Sequence, residues 1–362
     1  MTADERPDHD HDTDADADAG TDSREAAAYA AWKELRFDDA GRGFDALLAE
    51  RPDAAYLHYM RGLVHKYRRE WDGCLRHNLR ALGLQPAGEP PDQAMVWNAA
   101  IAATGLRDWA QARALWKRIG LRIDDGDGPI EQDFGVAVTR LNPWGDGETV
   151  WFRRLSPCHG RLLNVPMPES GFRFGDLVLH DGAPTGSRRS AEGQDVPVFN
   201  ALERLEPSPF STFTVLLDAA TAADLDALET LRRPGLGYLE DWTGSFRVLC
   251  RRCSYGTPHA HAHDRDAEDD DAWQRERDVG FAAQSRAVVD AMLAIWLAGA
   301  VAGEDGEPTR RVDTVRLEEH PLVDPDPDTG FAWWRSPDDD DDDDAGGDGE
   351  DESGECGDAR PA

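Results

Sequence analysis

The chain has 362 residues, 40% of them apolar and twelve of them Trp, and carries a formal net charge of −33. The length suits two or three domains with their own cores better than one. The charge repels phosphate, so nucleic acid is excluded as an expected partner.

Residues 1–23 form a string of Asp, His, Ala and Thr with almost no apolar side chains. Too little apolar area is present to offset the entropy of ordering, so a disordered acidic tail is expected there. Residues 336–362, which include the unbroken Asp run 338–344, read the same way. The start lacks the basic and apolar regions of a signal peptide. The most apolar stretch, 287–302, is too short for a membrane helix. The five Cys, Cys74, Cys158, Cys250, Cys253 and Cys356, are sparse and odd in number. They fit a reducing compartment better than a disulfide framework, so a cytoplasmic location is expected.

From 24 to 124 small and aromatic residues recur with a helical period. The clearest unit runs from Tyr56 through Gly62, Trp71 and Ala81 to Pro86. Gly62 stands where two helices of a hairpin must approach closely, Trp71 opens the second helix, and Pro86 ends the pair. Moving this frame back by thirty-four residues sets Phe37, Ala40, Phe44 and Pro52 on Trp71, Cys74, Asn78 and Pro86. Moving it forward, with a short insertion at 87–92, sets Trp109, Ala112 and Trp116 on Trp71, Cys74 and Asn78. Ala28 and Ala100 occupy the place of Gly62.

This order of small, aromatic, small and Pro residues resembles the tetratricopeptide repeat (TPR). The resemblance implies three stacked hairpins that bury one another's apolar faces. It also implies a concave face, made by the first helix of each pair, that holds a peptide or protein. On this chain that face includes Tyr29, Trp32, Tyr56, Tyr59, Lys66 and Trp97, with Arg69 beside it. Aromatics and Arg are favoured anchors; for Trp97 the core is the alternative. Arg61, Lys66, Arg68, Arg69, Arg76 and Arg80 make the second unit basic. Such a surface attracts an acidic partner, including the chain's own tethered Asp run. A solvated helix face with weak charge pairs is the plainer reading.

Turn residues at 124–129 mark a boundary. Short alternating runs over 135–141, 148–155, 161–165 and 174–180 follow, split by turn signals, so 129–205 is expected to be a β-rich domain. A small half-open barrel or curled sheet is its expected form. Over 208–320 an α+β domain is expected. Its elements are a strand at 213–217, a helix capped by Thr221 ahead of Asp224, a strand at 245–250, a helix over about 281–298 and a strand at 314–317. The fold class is thus α+β multidomain, with a helical hairpin array in front and acidic tails at both ends.

Cys250 and Cys253 are two residues apart at the end of an expected strand, and a turn leads on to His259, His261 and His263. A turn aiming both thiols at one point could be completed by His259 and His261 into a tetrahedral zinc site. A plain reduced pair and a redox pair are the other readings. Cys158-His159 is a nucleophile beside a base in sequence, although such neighbours rarely meet in the required geometry. No phosphate loop, nucleophile elbow or HExxH helix is present. The expected function is therefore non-enzymatic, that of a scaffold or adaptor for a protein or peptide partner. The alternatives are an enzyme or zinc-stabilised module centred on 250–263, or an immunity-like protein whose acidic surface neutralises a basic partner.

Overall fold

The computed structural model describes residues 12–145, 147–190, 193–246, 249, 251–257, 273–303 and 306–325, with backbone alone for 12–22 and 251. The chain divides into two units, Met1–Gly128 and Pro129–Ala362.

The first unit contains α1 (Asp12–Lys33), α2 (Phe37–Glu50), α3 (Ala55–Tyr67), α4 (Trp71–Gly83), α5 (Gln93–Gly105) and α6 (Trp109–Arg118). Each packs on the next, and α3 also packs on α5. The second helix of each hairpin begins at the residue set by the repeat frame: Phe37, Trp71 and Trp109. The turns before them are equivalent bond for bond. Leu35, Arg69 and Arg107 are left-handed, with φ of 64°, 58° and 58°. Their N–H groups donate to Trp32, Lys66 and Thr104, and the next N–H groups donate to Ala31, His65 and Ala103. This is the Schellman pattern for ending a helix. Non-glycine residues seldom adopt that conformation, so its threefold recurrence reflects a packing demand.

Ala40, Cys74 and Ala112 are fully buried at one frame position, and Phe44, Asn78 and Trp116 at another. Gly62 has no room for a side chain, because a Cβ there would lie 2.5 Å from Asn78 Nδ2. The helix α1 reaches back into the segment expected to be disordered, from Asp12 to Asp22. Ala alternates with Asp in that stretch; Ala is the best helix former, and acidic residues suit the positive end of a helix dipole. The second tail, 336–362, lies outside the described residues.

The second unit opens with β1 (Val136–Leu141), β2 (Glu148–Arg154), β3 (His159–Leu162), β4 (Leu177–His180), β5 (Gly186–Arg189) and β6 (Asp195–Glu206). Their order is β1-β2-β3-β4-β6-β5, and a parallel β1–β6 pairing closes the sheet into a small barrel. The long strand β6 makes closure possible: it pairs with β5, then β1, then β4 along its length. Ala137, Leu141, Val150, Phe152, Leu162, Val178, Phe199 and Ala201 fill the inside.

A second, antiparallel sheet follows, built from β7 (Ser211–Ala219), β8 (Leu236–Asp241), β9 (Glu276–Ala283) and β10 (Arg310–Glu318) in the order β10-β7-β9-β8. Helices α7 (Ala222–Glu229) and α10 (Arg286–Leu297) give it a βαββαβ plan, the split βαβ arrangement of ferredoxin-like folds. Leu225, Leu228, Val289, Met292 and Trp296 pack on Phe213, Val215, Val279 and Phe281. As expected, Thr221 caps α7 by accepting from the Asp224 N–H.

Two expectations change here. Residues 281–283 belong to a strand, because Val279, Phe281 and Ala283 enter the core with period two. Residues 242–245 form the helical turn α8 (Trp242–Ser245) in place of an expected strand start. Trp242 is drawn inward, its Nε1 donating to Val165 O at 2.9 Å. No described helix is long and apolar enough to cross a membrane.

Candidate functional site

The first helices α1, α3 and α5 place the expected partner-binding residues. Tyr29 and Tyr56 are 36% and 48% exposed. The Tyr56 phenol is pushed up by burial and by the nearby Tyr29, Glu25 and Tyr59. Tyr59 is half-buried, hydrogen-bonded to the Asn98 side chain, and close to Lys66 and Asp92. Tyr29, Tyr56, Tyr59 and Asn98 thus form a run of polar groups across three helices. Asn98 was not anticipated; its frame position, one residue after Trp97, was the available signal.

The other expected anchors are drawn into packing. Trp32 stacks on Tyr29 at 5.6 Å and tilts against Tyr67 at 6.1 Å, while Tyr67 stacks on Phe37. Lys66 is buried with its ammonium 5.8 Å from the Tyr67 ring centre. Trp97 meets the buried Trp116 edge-on at 4.6 Å. Arg69 is the left-handed turn residue of the second hairpin.

The basic cluster is largely neutralised by neighbours. Arg61 pairs with Asp45 at 2.8 Å, Arg68 with Asp38 and Glu70, Arg76 with Asp72, and Arg80 with Asp53. Two of these acids, Asp38 and Asp45, come from α2. The Asp run 338–344 lies outside the described residues.

Of the expected zinc ligands, Cys250, His259 and His261 lie outside the described residues. Cys253 sits in α9 (Arg251–Ser254), a helical turn. It is half-buried and outside any disulfide. The segment is clamped to the barrel. Arg140 is 2% exposed, donates to Ser254 Oγ, Pro143 O and Gly145 O, and stacks 4.4 Å from the Tyr255 ring centre. Thr185 Oγ1 and Ser187 N donate to the carbonyls of Tyr255 and Gly256. Burial lowers the Arg188 guanidinium, and the nearby Cys253 thiol acts in the opposite sense. Among the described residues no group of three or more metal-ligand side chains gathers.

His159 is committed away from Cys158. Its Nδ1 contacts Ser156 Oγ at 2.6 Å and its Nε2 contacts Ile130 O at 2.9 Å. The histidine opposite Cys158 is His180, across the β3–β4 pair, where His180 N donates to Cys158 O at 2.8 Å. Burial holds His180 well below the usual imidazole range.

Two carboxylates pin segment 164–167. Both Glu148 oxygens accept from Met167 N, at 3.0 and 3.1 Å. Glu240 accepts from Val165 N at 2.7 Å and from Asn164 Nδ2 at 2.8 Å. Burial pushes Glu148 up to about 8, with Glu240 and Glu169 adding to the effect, and burial raises Glu240 as well. No protein-family model matches the chain, and no curated protein matches it.

Proposed function

We propose that the helical unit is a tetratricopeptide-type module and that the chain is a non-enzymatic scaffold or adaptor, holding a peptide or protein partner along its first helices. The observation that carries this reading is one turn repeated three times, at Leu35, Arg69 and Arg107, each followed two residues later by an equivalent second helix. Hairpins of one design set their first helices side by side, and on that side lie Tyr29, Tyr56 and Tyr59. Tyrosine offers rigid, amphipathic contact area at low entropic cost. The hydroxyls and Asn98 suit the N–H and C=O groups of an extended peptide.

The test is selection of peptides from a random library on the full chain, with affinities then measured by fluorescence anisotropy. Replacing Tyr56 and Tyr59 together by Ala should weaken a selected peptide by about 2 kcal/mol or more, the size of a binding hot spot. Helical circular dichroism should stay unchanged. Selected peptides that bind the double variant as well as the parent overturn the reading.

Zinc at Cys250, Cys253, His259 and His261 is a separate proposal, supported by the spacing of the two Cys and the two His in the sequence. Metal content of the tag-free chain tests it, and a stoichiometry near zero removes it.

A further inference from the structure

The second hairpin differs from the third in what it encloses. In the repeat frame Val96, Ala103 and Leu115 occupy the places of His58, His65 and His77. All three of those apolar residues are buried. The α3–α4 hairpin therefore holds three imidazoles where α5–α6 holds hydrocarbon. The His77 ring centre lies 5.2 Å from that of His58 and 5.4 Å from that of His65.

The hydrogen bonds fix where the protons are. His58 Nε2 lies 3.0 Å from Pro52 O. A carbonyl only accepts, so Nε2 carries the hydrogen. Neutral His58 then has a bare Nδ1, and the 3.1 Å contact between the two Nδ1 atoms is a bond donated by His77. His65 Nδ1 donates to Glu70 at 2.6 Å.

We infer that His65 and His77, with His58 as the acceptor of the His77 N–H, form a proton-sensitive latch whose protonation opens the α3–α4 hairpin and, on the function proposed above, loosens the tyrosine face that α3 carries. A proton arriving at His77 must take Nε2, and the cation then faces His65, His58, Arg61 and Arg76. Arg61 is tied to Asp45 of α2 and Arg76 to Asp72 of α4. Glu70 is shared between His65 and Arg68. The contact of α5 with α4 includes the Cys74 thiol and Asn98 O, and no charged α5 side chain acts on His77. His65 has little room to withdraw, since a Cβ on Gly73 would come within 2.5 Å of its Nδ1.

Burial is the main cause that lowers His77 to about 4, and it lowers His65 too. Unfolded histidines take up protons near 6.5. The open hairpin is thus favoured as pH falls below that value, by up to ~10-fold per pH unit for each of His65 and His77.

The experiment is hydrogen exchange on the full chain at pH 7 and pH 5, corrected for intrinsic rates, in the parent and in His77→Leu. The parent should lose ~30-fold or more of its protection in residues 55–83 relative to 93–118. His77→Leu, which copies the third hairpin at one of the three positions, should lose at least ~3-fold less than the parent. Equal losses in both hairpins of the parent overturn the latch, and that comparison stands even if the variant fails to fold. An equal loss in the variant also overturns it. No peptide enters this readout, so the latch and the binding face stand or fall separately. A selected peptide whose affinity is constant between the two pH values, while 55–83 opens, overturns the coupling to the face.

Discussion

In the helical unit burial lowers His77 and His65, whereas in the barrel-and-sheet unit it raises Glu148, Glu240 and Asp176. The cause is the same, because a poorly solvated site disfavours whichever form is charged. The consequences for stability are opposite. Unfolding lets His77 gain a proton below about 6.5, so its contribution to the helical unit is lost as pH falls from there towards about 4. Glu148 keeps its proton up to about 8 when folded but only to 4.5 when unfolded. Its contribution is fully present below 4.5 and is lost as pH rises through 8. Each of these groups therefore has its own pH window, and His180 in the second unit follows the sign of His77.

Four substitutions test this contrast, from the largest expected effect down. Trp116→Ala empties a fully buried site against Trp97 and should cost the helical unit about 3–5 kcal/mol. Hydrogen exchange should accelerate across 23–128 and stay unchanged across 129–325; acceleration in both would show that the units do not unfold separately. Glu148→Gln keeps an acceptor for Met167 N and removes the titration. It should stabilise the second unit by on the order of 2 kcal/mol at pH 8 and hardly at all at pH 5. An equal gain at both pH values in thermal melts would rule out charge as the cause.

Arg140→Lys serves as the control. It loses the planar stack on Tyr255 and part of the bonding to Ser254, Pro143 and Gly145, at a cost of about 1–2 kcal/mol. The loss should be the same at pH 5 and pH 8, with 251–257 the first segment to exchange. Arg76→Ala removes an exposed partner of Asp72 and should change stability at pH 7 by less than about 0.5 kcal/mol. It also removes a positive charge that acts on His77. Acid opening of 55–83, followed by exchange, should then begin at a lower pH than in the parent.

The helical frame was legible because hairpin turns are local. Thirty-four residues separate Leu35 from Arg69 and thirty-eight separate Arg69 from Arg107, so the insertion at 87–92 could be placed from sequence alone. The barrel strands β1, β2 and β4, and the end of β3, were legible from short runs split by turn signals. The strand β6 was not, because it changes partners along its length and its buried residues run together from Val198 to Leu202 instead of alternating. The strand β9 was partly read as helix, since Phe281-Ala282-Ala283 runs into an apolar helix with only Gln284 and Ser285 between.

At the candidate site, period and frame placed Tyr56 and Tyr59 on α3. Frame alone could not tell that Trp97 would turn to Trp116. His58 and His65 are seven residues apart and share a helix face, yet their meeting with His77 depends on the hairpin closing. The backbone bond from His180 to Cys158 likewise depends on strand register, which sequence neighbours do not reveal.

The closing contact between β1 and β6 leaves the barrel core strands paired on both sides, but the neighbouring sheet ends differently. Its strand β10 pairs with β7 alone among the described strands. A sheet edge of this kind can recruit a strand from another copy and propagate into fibrils. Arg311, Asp313 and Arg316 stand exposed along it, and an incoming strand would have to strip water from each. The charges act as gatekeepers, and replacing them with Val or Thr should shorten the lag before aggregation at concentrations where the parent stays clear.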